Sequence, residues 1–286
     1  MQVIYSLLKL IRVHNCLLAG VGVWMGWYLT GHNTGKTEAL IASLAAALVC
    51  GAGNAFNDYI DIEIDRVNHP TRPLPRGDIP PYLAVLTMLV FDIIAVGLSI
   101  MVNAAVLLVV IGAVVLLLVY NLNLKKQPLS GNVAVSLLGA ATFMVGGLAV
   151  NTSNIGMLPG PLVPAVFAFL FHFGRELVKD TADCEGDRRA GFKTLAAMVS
   201  QNVMLALIAA VYLILIFLTY IPVYYDWFRP VFNYIVMVGV DLPLLISVLY
   251  LLISRNRDRF KNASNILKVL MLIGLIAFLL GRNPGL

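Results

Sequence analysis

Residues 194–225 read TLAAMVSQNVMLALIAAVYLILIFLTYIPVYY and contain no Asp, Glu, Lys or Arg. About 20 apolar residues are enough for a helix to cross the hydrocarbon core of a bilayer. The stretches 13–35, 39–57 and 127–174 are also free of these charges, and the last is long enough for two helices. Only 12% of the 286 residues are charged, against about 25% in soluble domains. The sequence therefore predicts an all-α, multi-pass membrane bundle.

Nine transmembrane helices account for the apolar stretches. Asn103 follows Val102 within the long stretch 79–124, and a tight turn there divides that stretch into two helices. The predicted spans are 13–31, 39–59, 82–101, 104–122, 132–150, 161–179, 201–221, 231–253 and 264–281.

The distribution of basic residues predicts the orientation in the membrane. With the N-terminus inside, only Lys36, Arg229 and Arg282 of the 20 basic residues lie outside, and all others, Arg255 among them, lie inside. This asymmetry follows the positive-inside rule. We therefore expect a cell-membrane protein with a cytoplasmic N-terminus, and the net charge of +5 reflects topology rather than nucleic-acid binding. The three cysteines match neither a disulfide framework nor a zinc site.

Nine of the 15 acidic residues fall in two acidic motifs, 54–65 and 176–187, each at the inner end of a predicted span. Both contain the spacing D-x2-D-x3-D, which puts three carboxylates on one face of a helix. Asn54 shares the first face and Glu176 the second, whereas Glu63 and Glu185 point away. The two carboxylate sets are Asp58, Asp61 and Asp65, and Asp180, Asp183 and Asp187.

Three carboxylates at the C-terminal end of a helix repel one another and the helix dipole. A cation must compensate, and Mg²⁺ is commonly bound by one or two carboxylates plus substrate phosphates. If the two sets face one another, they clamp a diphosphate through two bridging Mg²⁺ ions. The alternative for either motif by itself is a solvated acidic helix end.

Basic residues follow each acidic motif in cytosolic loops 66–81 and 188–200. The first loop reads NHPTRPLPRG at 68–77, which a helix cannot continue through. It carries Arg66, Arg72 and Arg76, and arginine binds diphosphate in bidentate fashion. The second loop carries Arg188, Arg189 and Lys193, and Lys125 and Lys126 follow the fourth span. Anchoring to anionic lipid headgroups is the open alternative.

Several further residues keep no assigned role. His172 is more typical of a packing residue than of a base, and Asp92 and Asp241 lie within spans without a visible partner. The equal spacing of the two motifs suggests two four-helix halves plus one extra helix. A divalent cation transporter is a weaker alternative, because two acids within the spans do not make a path.

The segments 57–65 (NDYIDIEID) and 180–187 (DTADCEGD), with the loops that follow them, resemble the signature regions of the UbiA superfamily of intramembrane prenyltransferases. The resemblance covers nearly the whole chain and implies a single transmembrane prenyltransferase domain, 1–286. It implies that all six motif aspartates bind metal and diphosphate, and that Arg72, Lys125 and Lys193 contact phosphate oxygens. Asn54, Asn57 and Tyr120 would line the same cytoplasmic mouth.

Within the superfamily, the runs RVHNC at 12–16, YNLNLK at 120–125 with Gly131 and Asn132, and RELVKDTADCEGD at 175–187 are most similar to the archaeal ether-lipid branch. That similarity implies Mg²⁺-dependent transfer of a geranylgeranyl group from its diphosphate to the hydroxyl of geranylgeranylglyceryl phosphate. It also places Arg12, Asn15 and Arg175 among the substrate-binding residues. An aromatic acceptor of the quinone or chlorophyll type stays open as the alternative.

Overall fold

The computed structural model describes residues 2–150, 158–189, 191–253 and 256–283. Apart from one isolated bridge between Phe228 and Arg282, these residues form helices and the turns between them. Arg255, expected on the inner side, lies outside the described residues. The helices are α1 (Gln2–Leu10), α2 (Val13–Tyr28), α3 (Lys36–Ile60), α4 (Ile62–Asn68), α5 (Pro73–Arg76), α6 (Pro81–Ile100), α7 (Ala104–Leu122), α8 (Ser130–Leu148), α9 (Leu162–Arg189), α10 (Leu195–Met198), α11 (Gln201–Tyr224), α12 (Pro230–Val236), α13 (Leu242–Ile253) and α14 (Arg257–Gly281).

Each predicted span corresponds to a helix, or to α12 and α13 joined by a π-helical turn at Met237–Asp241. Among the described residues, seven helices are long and apolar enough to cross a membrane. An eighth span results if Val3–Leu10 and Val13–Tyr28, which meet at a 50° bend, cross together. The long helix α9 is not among them, because its second half carries the charges of the second acidic motif.

The helix boundaries follow from local chemistry. Asn103 divides α6 from α7 as predicted, because its Oδ1 accepts from the Val106 amide at 2.9 Å and so caps α7. The helix α9 runs ten residues beyond its predicted end, to Arg189. The predicted end was placed where the apolar run stops, but a helix can continue into the charged segment, and Gly191 with φ 73° lies just beyond it.

The chain divides into two compact units. The first contains 1–124 and 141–155, and the second contains 125–140 and 156–286, so α8 contributes residues to both. In the first unit, small side chains of α3 pack with α2, α6 and α7 around Ala42, Ala45 and Val49. In the second, α9, α11, α13 and α14 enclose a larger apolar core that includes Leu177, Ile208 and Leu267.

Candidate active site

The first acidic motif is neutralised by two arginines within the first unit. Arg12 Nη2 donates to Asp58 Oδ1 at 2.5 Å, and Arg72 Nη1 lies 3.4 Å from the same oxygen. Arg72 also forms a short ion pair with Asp65 Oδ2. The side chains of Asp58 and Asp65 are only 3% and 5% exposed. Arg72 thus bridges two buried carboxylates of the predicted set, and Arg12 pairs with one of them.

Burial raises the pKa of Asp65 above its ordinary value, and the nearby charges of Asp58 and Asp61 act in the same direction. The Arg72 guanidinium opposes both effects. A further cation near this carboxylate would therefore stabilise its ionised form.

Asp61 occupies a break between two helices, where a single continuous helix was expected. α3 ends at Ile60 and α4 begins at Ile62, with Asp61 at φ −96° and ψ 7°. Asn57 Nδ2 donates to Asp61 Oδ2 at 2.7 Å. Glu63 is exposed and pairs with Arg66 at 2.8 Å. Glu63 contacts neither of the arginines that pair with Asp58 and Asp65 in the described ion pairs.

Asn54 and Arg12 meet at the bend between α1 and α2. Asn54 Nδ2 donates to the Ile11 carbonyl at 3.0 Å, while its Oδ1 accepts from Arg12 Nη1 at 3.5 Å. Asn15 follows within the first turn of α2, where its amide N–H donates to the Arg12 carbonyl at 2.8 Å. Of the residues expected to bind substrate, Arg12 therefore contacts both Asp58 and Asn54 of the first acidic motif.

The loop after the first motif positions Arg72 through a short helix. Pro73 opens α5, where its fixed φ favours a helical start. Pro73 and Leu74 are buried, and Leu74 packs in an apolar cluster with Leu10 and Ala55. Gly77, at φ 75°, ends α5 in the left-handed conformation. This packing places Arg72 beside Asp58 and Asp65, whereas the sequence predicted only that the arginines of this loop reach a diphosphate.

The second acidic motif lies on the continuous helix α9 in the second unit. Asn132 Nδ2, near the start of α8, donates to Asp180 Oδ2 at 2.7 Å. Burial raises the pKa of Asp180 to about 7, while the Lys179 charge and the Asn132 hydrogen bond lower it. Asp180 lies just beyond the predicted span 161–179. Asp183 is half-buried one turn further along, and Glu185 is exposed as predicted.

Asp187, at the end of the second motif, lies close to two predicted phosphate-binding segments. Thr194 Oγ1 donates to Asp187 Oδ2 at 3.1 Å. The backbone N–H of Lys193, the residue before Thr194, donates to the Lys126 carbonyl at 2.9 Å. The loops that carry Lys125 and Lys193 are therefore adjacent within the second unit. The sequence placed lysine after both helices but did not show that these loops meet.

Charge deeper along α9 is balanced by neighbours on the same helix. Glu176 is 6% exposed and pairs with Arg175 at 2.8 Å and with Lys179 at 3.4 Å.

Tyr120 is half-buried in the last turn of α7, in the first unit. Tyr120 and Arg175 were both predicted to bind substrate, and they belong to different units, Tyr120 to the first and Arg175 to the second.

The residues left without a role have packing contacts or remain unassigned. His172 lies against Gly139, where a Cβ atom would come within 2.4 Å of the imidazole Cδ2. Thr219 Oγ1 donates to Asp241 Oδ2 at 2.8 Å, which gives this acid the partner that the sequence did not show. Asp92 is half-buried in α6.

The chemistry of both clusters suits a hard cation that arrives with its own oxygen ligands. Within the described part of the chain, no three His, Cys, Asp or Glu side chains stand close enough together to hold a metal ion by themselves. Carboxylate oxygens with arginine and lysine beside them fit Mg²⁺ that is completed by phosphate oxygens and water. Asn132 and Thr194 were missed as partners of the motif aspartates, although both lie in runs that carried the family resemblance.

The chain is similar to known proteins over nearly its whole length. The digeranylgeranylglyceryl phosphate synthase of Pyrococcus abyssi (strain GE5 / Orsay) is 36% identical over 284 residues, which cover 96% of each chain. A solved structure of a digeranylgeranylglyceryl phosphate synthase in membranes has 29% identity and a TM-score of 0.76, and the match covers 98% of this chain and 99% of that one.

A more distant solved structure shares the fold. It is a UbiA homolog from Archaeoglobus fulgidus bound to DMAPP and Mg²⁺, with 18% identity, a TM-score of 0.59 and coverage of 94% of this chain and 99% of that one. The model of the UbiA prenyltransferase family matches residues 15–276. The chain belongs to the UbiA prenyltransferase family.

Proposed function

We propose that this chain catalyses Mg²⁺-dependent transfer of a geranylgeranyl group from geranylgeranyl diphosphate to the free hydroxyl of geranylgeranylglyceryl phosphate. The product is an ether of archaeal membrane lipid synthesis. The observation that carries the proposal is the pair of acidic clusters, each with arginine or lysine beside it. Relatives named digeranylgeranylglyceryl phosphate synthase, aligned over nearly the whole chain, support this acceptor.

The candidate magnesium ligands are carboxylates, whose hard oxygens suit this ion. We propose two ions, and when bound they supply positive charge that stabilises the departing diphosphate. The ligand set comprises Asp58, Asp61, Asp65, Asp180, Asp183 and Asp187.

The basic side chains complete the binding of the leaving group. Arg72, Lys125 and Lys193 donate hydrogen bonds to phosphate oxygens, which is the preorganised electrostatic stabilisation that usually contributes most to catalysis. Asn57 orients Asp61, and Asn132 orients Asp180. The proposed substrate-binding residues are Arg12, Asn15, Asn54, Asn57, Tyr120 and Arg175.

The reaction breaks the allylic C–O bond, and both electrons leave with the diphosphate. The acceptor hydroxyl oxygen then bonds to the allylic carbon, and its proton passes to the released diphosphate. Apolar helix surfaces bury the prenyl chain, which is favourable by roughly 0.8 kcal/mol per CH₂. They also exclude water, which would otherwise react with the allylic carbocation left by C–O cleavage and give an alcohol.

We also propose the topology that the charge distribution indicates. It comprises one domain of nine membrane-crossing helices, in two four-helix halves plus one helix, around a central cavity. The N-terminus and both acidic motifs lie on the cytoplasmic side, because nearly all basic residues belong to segments on that side.

An assay of the purified protein in lipid nanodiscs tests the function. With Mg²⁺, radiolabelled geranylgeranyl diphosphate and geranylgeranylglyceryl phosphate, we expect the diether, identified by mass spectrometry. Parallel reactions offer a hydroxybenzoate, a naphthoate and a chlorophyllide as acceptors. Absence of the diether from intact, monodisperse protein refutes the proposal, and product on an aromatic acceptor alone assigns the chain to the other branch.

A further inference from the structure

The three carboxylates of the first motif differ in their partners. Asp58 Oδ1 receives guanidinium groups from both Arg12, at 2.5 Å, and Arg72, at 3.4 Å. Asp65 pairs with Arg72, and Asp61 accepts a hydrogen bond from the Asn57 amide and is half-buried. A magnesium ion at Asp58 would stand beside two positive charges that already share one oxygen. Electrostatic repulsion therefore disfavours this position for a metal.

Arg12 is held in place by backbone and side-chain contacts. Its φ of 52° and ψ of 64° are left-handed, a conformation that residues other than glycine rarely adopt. Asn54 holds this bend at two points, because its amide nitrogen binds the Ile11 carbonyl and its oxygen binds Arg12. Strained backbone that its surroundings hold in place is typical of functional positions.

Arg72 is held in place by the short helix α5 that follows it. It precedes Pro73 at the start of α5, and the buried Pro73 and Leu74 attach this short helix to the first unit. Arg12 and Arg72 are 29% and 30% exposed, whereas Asp58 between them is 3% exposed. A guanidinium carries five N–H donors in a planar fork. Each arginine can therefore bind Asp58 on one side and an anion on its exposed side.

We propose that Asp58 is the buried counter-ion that positions Arg12 and Arg72, not a magnesium ligand, and that Arg12 binds the diphosphate. This inference rests on the proposed function and replaces two of its assignments, because Asp58 leaves the set of magnesium ligands and Asn54 leaves the set of substrate-binding residues. Asp61 and Asp65 remain the metal ligands of the first motif, and Asn54 becomes a positioning residue for Arg12. The first motif then contains one carboxylate that acts through arginine and two that act through the metal.

Binding measurements without turnover test this division. Mn²⁺ bound per protein is counted by electron paramagnetic resonance in the presence of inorganic pyrophosphate, and pyrophosphate affinity is measured by calorimetry. For Asp58→Asn we expect the Mn²⁺ count of the wild type but pyrophosphate affinity about 10-fold lower, as for loss of one charge-assisted contact. For Asp61→Asn we expect a lower Mn²⁺ count.

Arg12→Gln provides a second variant, because Asp58 then keeps Arg72 as its partner. We expect unchanged Mn²⁺ binding and weakened pyrophosphate binding. Glu63→Gln removes an exposed carboxylate from the same motif, and Lys36→Gln removes a positive charge from the opposite end of α3. Both controls should bind as the wild type does.

A Mn²⁺ count in Asp58→Asn as low as that in Asp61→Asn would overturn the inference. Wild-type pyrophosphate affinity in both Asp58→Asn and Arg12→Gln would overturn it as well. Neither result bears on the acceptor, whereas failure of the wild-type enzyme to form the diether refutes the proposed function itself.

Discussion

At the scale of single residues, the buried carboxylates are the groups that most need explanation. A buried charge without a partner destabilises a protein by several kcal/mol, so such groups persist with a counter-ion or with hydrogen-bond donors. Asp58 and Asp65 have arginine, Asp180 and Asp187 have neutral donors, and Asp241 has a threonine hydroxyl. The two motifs therefore have the same spacing in sequence but different immediate surroundings.

Loss of a proposed metal ligand should abolish turnover without unfolding the protein. Asp61→Ala and Asp183→Ala each remove a half-buried carboxylate, and we expect diether formation to fall below detection. Both proteins should elute from size exclusion in detergent as the wild type does. Glu185→Ala removes an exposed carboxylate between Asp183 and Asp187 and should keep its activity. A wild-type rate in either aspartate variant would remove that residue from the site.

The affinity of the enzyme for Mg²⁺ should fall below about pH 7. Burial raises the pKa of Asp180 to about 7, and a protonated carboxyl cannot bind the metal, so Mg²⁺ and the proton compete. The apparent Mg²⁺ constant from initial rates should therefore rise as the pH falls through this value.

Asn132→Ala tests whether the titration of Asp180 controls this Mg²⁺ dependence. This change removes the hydrogen bond that lowers the pKa of Asp180, so the midpoint of the Mg²⁺ dependence should move to higher pH. Asn265→Ala removes an exposed amide that contacts Lys268 and should leave the midpoint unchanged. A midpoint that stays in place in Asn132→Ala would show that Asp180 does not control it.

At the scale of helices, glycine allows α2 and α8 to approach closely within the first unit. A Cβ atom at Gly146 would lie 1.9 Å from the Val23 carbonyl oxygen, and one at Gly26 would lie 2.0 Å from the Phe143 carbonyl oxygen. Small residues at such crossings let membrane helices gain packing contacts, since lipid provides no hydrophobic drive between helices. These two glycines therefore act as a pair at one crossing.

Gly146→Ala should destabilise the protein, because the clash is with backbone atoms that cannot rotate away. Overpacking typically costs about 1–3 kcal/mol and here should reach the upper end of that range. A clear fall in the thermal unfolding midpoint in detergent is the expected readout. Gly112→Ala, where the added Cβ meets nothing within 4 Å, is the matched control. Equal midpoints in the two variants would contradict the proposed crossing.

At the scale of the whole molecule, charge asymmetry governs orientation while apolar surface holds the protein in lipid. Of the 20 basic residues, only three belong to predicted outer segments. Many large apolar side chains are exposed on the long helices, for example Ile93, Leu108 and Phe217, each about 70% exposed. In water such surface would cause aggregation, so it indicates contact with lipid.

Cysteine labelling of intact cells tests the orientation. In a protein with Cys16, Cys50 and Cys184 replaced by alanine, Lys36→Cys should react with a membrane-impermeant maleimide, and Arg189→Cys should react only after the membrane is opened. The reverse pattern would invert the topology. Equal labelling of both positions in intact cells would contradict a single orientation.

Much of the architecture could be predicted from local sequence. Most of the long helices were predicted because apolar runs and breakers such as Asn103 act over a few residues. The break at Asp61 and the extension of α9 to Arg189 were not, because neither changes the apolar pattern. The pairing of Asn132 with Asp180 and of Arg12 with Asp58 could not be predicted either, because each requires two helices to pack at a specific register.

The amino-acid sequence by itself determined that this protein lies in the membrane and where most of its long helices run, since hydrophobicity and helical periodicity are local properties. Only the tertiary structure decided which cation or amide accompanies each carboxylate. That choice depends on packing between distant segments, where a shift of a few ångströms separates a buried ion pair from two unpaired charges. Asp58 and Asp61 look equivalent in the motif, and their partners distinguish them.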